Sequence, residues 1–295
     1  MIQNRPLRFW IIMIQKRPLR FRIIRRIGSG MRLLDPDGWS APPRLAGWGP
    51  KELALYADAI DLPSRSAPVT FLATLAFRCA GPLLTRIAGE RTRAIIGGSA
   101  VHILSPLPDV GTLTLERTAR VYALGALGIA DLEFRFLSGD GLVGAAALQI
   151  WFPGEGRPGF TAPPRTPRPL TPQRPPDWSV DVATAPDQAR RYARCGDSNP
   201  LHSDPAVAAL HEFTEGRPIL HGLCTFGLVG RAIATARNAP LASLSARFAR
   251  PVWPGDTLRI SGWNDAEHCL VRARTLERPD DDVLTAARAT RAQPG

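Results

Sequence analysis

The chain has 295 residues, 44% of them hydrophobic, enough to bury a full core across one or two domains. No stretch approaches the ~20 uninterrupted apolar residues of a membrane span, which argues against stable membrane insertion. The formal charge of +11 is concentrated at the start: residues 1–34 hold nine Lys and Arg and no acid, while the remainder carries 28 basic against 26 acidic residues, so no nucleic-acid-binding body is expected.

Taken in order, the chain opens on a near-duplicate. Met1 to Ile12 is repeated with few changes as Met13 to Ile24. The repeat is too short for a solenoid. An Arg-rich targeting or surface-binding segment is one reading. A duplicated or mis-assigned start, with translation beginning at Met31, is the other and the preferred one. Residues 1–34 are therefore expected to be a disordered basic leader. Residues 35–50, rich in Pro and Gly, read as a loop. A short helix is predicted over Glu52–Ile60, and the apolar, Ala-containing run Val69–Phe77 predicts a buried helix. Strands are predicted over Ala100–Leu104, Thr112–Val121, Ala130–Leu137 and Leu142–Trp151, with Ser138-Gly139-Asp140-Gly141 as a hairpin turn.

Nine prolines fall between Pro153 and Pro176. Residues 153–177 thus read as a linker, too rigid for a core element and too polar to be buried. Beyond it, Ser179–Thr184 reads as extended, and Pro186-Asp187-Gln188 opens a helix that ends at Gly196. A second helix follows His221, with Leu223, Phe226, Gly227, Gly230 and Ile233 on one face. Its two glycines are expected to let a sheet approach closely. Strands close the chain near Ala242–Arg250, Thr257–Trp263, Cys269–Leu276 and Val283–Arg291. The alternation of Val271, Ala273 and Thr275 with Arg272 and Arg274 predicts one buried and one solvated face. Pro106–Leu115 parallels Pro251–Ile260, each after an apolar helix and before strands. The order of elements is α+β, in two copies of helix plus antiparallel sheet: residues 35–152 and 178–295.

The chemistry-bearing stretch is Tyr192-Ala-Arg-Cys-Gly-Asp-Ser-Asn-Pro-Leu-His202. Gly196 permits an unusual backbone angle before Asp197. Pro200 disfavours helical geometry at Asn199, so a fixed loop carries Asp197 and His202 together, an arrangement suited to acid–base work on one small molecule. Downstream, Arg217-Pro-Ile-Leu-His-Gly-Leu223 approaches a helix whose first backbone N–H groups can face a developing oxyanion. An isolated Asp and His would more often be a turn cap and a satisfied loop histidine. His211-Glu212 does not complete a His-Glu-x-x-His zinc motif, because Glu215 stands where the second histidine is required. No other run has metal-ligand spacing, so no metal is expected. No Gly-x-Gly-x-x-Gly follows a strand, so no dinucleotide cofactor is expected. Cys79, Cys195, Cys224 and Cys269 show no Cys-x-x-Cys spacing and read as free thiols of a reducing, cytoplasmic compartment.

The pair Tyr-x-x-x-Gly-Asp-x-Asn-Pro-Leu-His and Arg-Pro-Ile-Leu-His-Gly-Leu-Cys-Thr resembles the MaoC-like acyl dehydratases, most of all the (R)-specific enoyl-CoA hydratases of the hydratase 2 type. The resemblance covers roughly residues 40 to 290. It implies a double hotdog fold, each long helix wrapped by a curved antiparallel sheet. It implies addition of water to a trans-2-enoyl-CoA, giving the (3R)-3-hydroxyacyl-CoA without a cofactor. Asp197 and His202 would then share the acid and base work, Asn199 would position the water, and the Gly222 N–H would face the thioester oxygen. Gly196, Pro200, His221 and Leu223 would line the substrate. His211–Gly216 is longer and more acidic than the usual link and is expected near the mouth of the site. The expected partners are an acyl-CoA and, in assembly, a second copy of the chain as a homodimer. Two alternatives stay open: a dehydratase for acyl carrier protein or branched thioesters, and a non-catalytic acyl-thioester-binding subunit.

Overall fold

The computed structural model describes residues 39–63, 66–87, 94–156, 160–164, 171–265 and 268–292. The expectations for the basic leader, residues 1–34, lie outside the described residues. In chain order the elements are β1 (Trp39–Trp48), α1 (Pro50–Ala59), α2 (Phe71–Cys79), α3 (Gly81–Ile87), β2 (Ile95–Ile103), β3 (Gly111–Leu124), β4 (Leu127–Ser138) and β5 (Gly141–Pro153). The second half contributes β6 (Trp178–Ala183), α4 (Gln188–Ala193), α5 (Pro205–Ala208), α6 (Gly222–Ala236), β7 (Leu241–Phe248), β8 (Thr257–Asn264), β9 (His268–Thr275) and β10 (Asp282–Arg291).

The strands form one ten-stranded sheet in the order β1-β3-β4-β5-β2-β7-β10-β9-β8-β6. That order is a palindrome of two five-stranded units. β2 pairs antiparallel with β7, Val101 opposite Leu244, and this ladder fuses the units into one sheet. Each unit wraps a helix: α2, nine residues, in the first and α6, fifteen residues, in the second. This is the double hotdog architecture. On β9 the inward-facing positions alternate strictly: Cys269, Val271, Ala273 and Thr275 are buried and the residues between them are partly exposed.

Three expectations need correction. Residues 39–48, read as loop, are an edge strand paired to β3, with a register shift between Ala41 and Arg44. Pro42 and Pro43 fall inside that shift, where no ladder N–H is required of them; proline in a strand is tolerated at an edge and a bulge. The proline-rich stretch is not wholly at the surface: Pro163 is buried and Phe160 packs against the core. The glycines of α6 meet side chains of the first half more than the sheet. A Cβ on Gly227 would lie 2.6 Å from Ile60 Cγ2 and 2.8 Å from the Tyr56 hydroxyl, and one on Gly230 would lie 2.7 Å from Thr70 Cγ2.

That close seam is reinforced by polar contacts between the halves. The Tyr192 hydroxyl and Thr74 Oγ1 share a hydrogen bond of 2.9 Å. The C-terminal end of α1 presents carbonyls that a helix cannot satisfy internally. Gln188 Nε2 donates to Ala59 O at 2.6 Å, Arg191 Nη1 to Asp58 O at 2.7 Å and Cys224 Sγ to Ala59 O. The first half thus grips α4 and α6, the two helices that flank the Asp197 loop.

Candidate active site

α4 ends in a turn in which Gly196 N–H bonds Ala193 O. Gly196 sits at φ +108°, a conformation side chains resist. A Cβ there would also lie 2.9 Å from Arg78 Cγ, so the Arg78 stem from α2 lies over this glycine. The chain then enters the loop. Asp197 Oδ1 accepts from Asn199 N–H at 3.2 Å. Asn199 Oδ1 accepts from Leu201 N–H at 3.0 Å and caps a 3-10 turn over Pro200–His202, with Pro200 at its first position. The Asn199 carbonyl oxygen is therefore used in shaping the loop, and its amide NH₂ is the part left for a water.

Asp197 is only 6% exposed. With a single local hydrogen bond, burial dominates and pushes its pKa up to about 6. His202 is pushed the other way, down to about 4, again by burial, against a smaller opposing effect of its bond to Ile219 O. At neutral pH the pair is a carboxylate and an uncharged imidazole.

The hydrogen bonds fix which nitrogen carries the proton. His202 Nδ1 is 2.9 Å from Ile219 O; a carbonyl only accepts, so Nδ1 is the N–H and Nε2 keeps its lone pair. His221 Nε2 is 3.0 Å from Asp197 O, so His221 carries its proton on Nε2. The two imidazoles stack with centroids 3.7 Å apart and planes at 27°. His221 also packs against the Tyr192 ring at 5.0 Å. One ligand-type atom from each of Asp197, His202 and His221 lies within 4.8 Å of the others.

His221 is the N-cap of α6, and Gly222 is its first residue. The Gly222 N–H falls in the first turn, where no helical acceptor exists, at the positive end of the helix dipole. A Cβ on Gly222 would press on the Phe248 ring at 3.3 Å, so glycine is what lets α6 start this close to β7. Leu223, expected to line the substrate, is 2% exposed and packed in the main core. Gly196, Pro200 and Asn199 stay on the loop beside Asp197, and Gly222 is linked to it through the His221 bond. The structure thus gathers every sequence-identified site residue except Leu223.

Sequence reasoning missed the floor of the loop. Leu201, Ala208, Ile219 and Trp253, with Phe213, form a small separate apolar cluster. It holds the Ile219 carbonyl that fixes His202. Phe213 and Thr214 come from the acidic segment His211–Gly216: His211 is buried, stacks edge-on to Phe213, and Thr214 O accepts from Trp253 Nε1 at 3.2 Å. The segment is a support beside His202. The only forward signal was Trp253 in the Pro-x-Trp-Pro-Gly-Asp turn. Cys195 and Cys224 are buried free thiols; burial pushes the Cys195 thiol up to about 12, which leaves it protonated and unreactive.

Comparison with known proteins decides the family. The MaoC like domain matches residues 168–277. An enoyl-CoA hydratase of Mycobacterium tuberculosis is 32% identical over 245 residues, covering 80% of this chain and 84% of the relative. The chain belongs to the MaoC-like dehydratase family. A second relative from the same organism, 3-hydroxyacyl-thioester dehydratase Y, is 32% identical over 78% of this chain and 87% of its own length. Among solved structures, a MaoC-like dehydratase from Phytophthora capsici superposes with a TM-score of 0.76 at 24% identity, over 88% of this chain and 98% of the other. As a MaoC-like protein the chain is thus matched across both halves, although the family domain covers only the second. Among the described residues no helix is long and apolar enough to cross a membrane.

Proposed function

We propose that this MaoC-like protein hydrates trans-2-enoyl-CoA to (3R)-3-hydroxyacyl-CoA, reversibly, with catalysis in residues 178–295 and residues 35–152 as a non-catalytic support. The observation that carries this reading is one loop holding a buried carboxylate and a neutral imidazole with a lone pair. A carboxylate oxygen of Asp197 and a ring nitrogen of His202 lie within 4.8 Å, a gap that one water at ~2.8 Å from each can bridge. That water donates one hydrogen to the Asp197 carboxylate and one to His202 Nε2. As its oxygen bonds to C3, the base takes a proton, and the π electrons move toward the thioester oxygen. The Gly222 N–H, at the helix start, stabilises that oxyanion; one such donor is commonly worth ~3 kcal/mol. The pair then returns a proton to C2. Neither base starts protonated, so water supplies everything that is added, and the bases end as they began. Both groups lie on one face of the substrate, which gives syn addition. Asn199 presents its amide to the same water.

The four free cysteines suit a reducing compartment such as the cytoplasm, and a homodimer is the assembly to look for by light scattering. The test of function is a hydration assay of the full chain with crotonyl-, octenoyl- and branched enoyl-CoA, with chiral analysis of the product. The (3R)-hydroxyacyl-CoA is expected. No turnover, or the (3S) product, would overturn the proposal.

A further inference from the structure

We infer that the catalytic cluster is also a binding site for one Zn²⁺, through Asp197, His202 and His221, and that zinc blocks the enzyme by occupying the place of the catalytic water. The three residues offer two imidazole nitrogens and one carboxylate, a ligand set that zinc takes with a fourth position open. Sequence spacing hid this set because its third member is on the far side of the loop, at the start of α6.

The outer hydrogen bonds are those of a metal site. A ligating histidine usually donates its other ring N–H to a carbonyl or carboxylate, which fixes the tautomer and turns the lone pair toward the metal. Here His202 Nδ1–H donates to Ile219 O and His221 Nε2–H donates to Asp197 O. Each histidine therefore keeps one unprotonated nitrogen. That of His221, Nδ1, is buried with no hydrogen-bond partner among the protein atoms, an arrangement that calls for a water, an ion or a ligand. The hydration chemistry leaves this atom unused.

The spread of the donor atoms sets what must move. Bonds of ~2.0–2.1 Å put tetrahedral ligands about 3.4 Å apart, against a present spread of up to 4.8 Å. Because an imidazole lone pair lies in its ring plane, the stacked planes, 27° apart, must open toward the ion as the ligand atoms draw together. Magnesium and calcium prefer all-oxygen sites, so two imidazoles select against them and for zinc or its neighbours. Binding does not depend on the hydratase reading; inhibition does.

The experiment uses the full chain, freed of metal by chelation, titrated with Zn²⁺ against a fluorescent zinc indicator, with hydration measured in parallel. One Zn²⁺ per chain is expected. Affinity should fall by at least ~10-fold in each of Asp197→Asn, His202→Gln and His221→Phe, the last of which keeps the ring stack. Circular dichroism and melting establish that each variant is folded. Inhibition should be competitive with enoyl-CoA and absent with millimolar Mg²⁺. Failure of the wild type to compete with the indicator, or undiminished affinity in all three folded variants, would overturn the site. Variant-sensitive zinc binding in a chain that hydrates no enoyl-CoA would keep the site and remove the hydratase reading.

Discussion

The turns Pro106–Gly111 and Pro251–Asp256 lead into equivalent strands, β3 and β8, and begin alike. Aligned on Thr112-Leu113 and Thr257-Leu258, Pro108 stands where the second half has Trp253, and Gly111 where it has Asp256. In the first half a tryptophan from β1 closes the turn: Trp48 Nε1 donates to Pro108 O at 2.9 Å, and its ring covers Gly111, where a Cβ would lie 2.7 Å away. In the second half the tryptophan is in the turn itself. Trp253 N–H donates to Asp256 Oδ2 at 2.8 Å, and its ring is held between the guanidinium groups of Arg217 at 4.2 Å and Arg278 at 3.8 Å. Arg278 is pinned to Asp256 at 2.6 Å. The halves differ again in what lies between their helices: residues 60–70 separate α1 from α2, whereas residues 194–221 separate α4 from α6 and carry Asp197 and His202. The two halves of the sheet share one strand order. What separates the two halves is the chain between their helices and the turn that props it.

The largest expected effect comes from removing the Asp197 and His202 pair, whose motif has no counterpart in residues 35–152. Asp197→Asn and His202→Gln should each lower hydration by at least ~10²-fold, the usual cost of losing an acid–base group. Asp197→Asn should also stabilise the fold at neutral pH. Its folded pKa, about 6, lies above the ordinary 3.8, so the ionised form is the one folding disfavours. That cost, about 3 kcal/mol at most, is fully present above pH 6 and gone below pH 4. Chemical denaturation should show the gain at pH 7 and its disappearance near pH 4; a variant less stable than wild type at pH 7 contradicts the burial argument. In the wild type, kcat/KM should fall about tenfold per unit as the pH drops below 6, as Asp197 takes up a proton. His202, at about 4, stays neutral over that range. A limb near the ordinary carboxylate value would mean that Asp197 is hydrated in solution.

Asp256→Gly gives the second turn the residue found in the first. It strips the cap from Trp253 N–H and the partner from Arg278, so a loss of about 2–4 kcal/mol is expected. kcat should fall with stability, because Trp253 supports Ile219 and through it His202. Unchanged kcat in the folded variant would separate the turn from the site. Thr74→Val tests the link between halves. It leaves the buried Tyr192 hydroxyl without its partner, at a cost of about 1–3 kcal/mol; Thr74→Ser should recover most of it in thermal melts. Smallest of all, Glu116→Gln in the first half removes an ion pair with Arg135 whose partners are 43% and 48% exposed. It should shift stability by under about 1 kcal/mol and leave kinetics untouched. A large effect there would mean that the first half's outer face is covered by a partner.

Most of the fold was legible. The eight predicted strands from 100 onward, the helix after His221 and the Gly139-Asp140 hairpin all follow from local periodicity and turn chemistry, which act over a few residues. β1 was not, since its prolines speak against a strand until the partner strand shows it to be an edge with a bulge. The facing of α2 was not legible either. Phe71, Leu72, Ala73, Thr74, Leu75 and Ala76 are all buried, so no polar side marks its orientation, and only the contact with Tyr192 reveals that Thr74 faces the second half.

The sequence by itself determined the chemistry-bearing groups. Asp197, Asn199 and His202 are held within six residues by Gly196 and Pro200, and short loops of this kind are set by local backbone preference. Tertiary structure decided how those groups behave. The protonation states follow from burial of Asp197 and His202 in the folded chain. The tautomers follow from Ile219 O and Asp197 O, carbonyls whose positions no local pattern encodes. The meeting of His202 and His221 depends on a loop closed by Leu220 N–H on Val252 O and by Trp253 beneath it. Desolvation and hydrogen-bond partners come from residues distant in the chain, so the titration of a side chain is a property of the packed molecule and not of its motif.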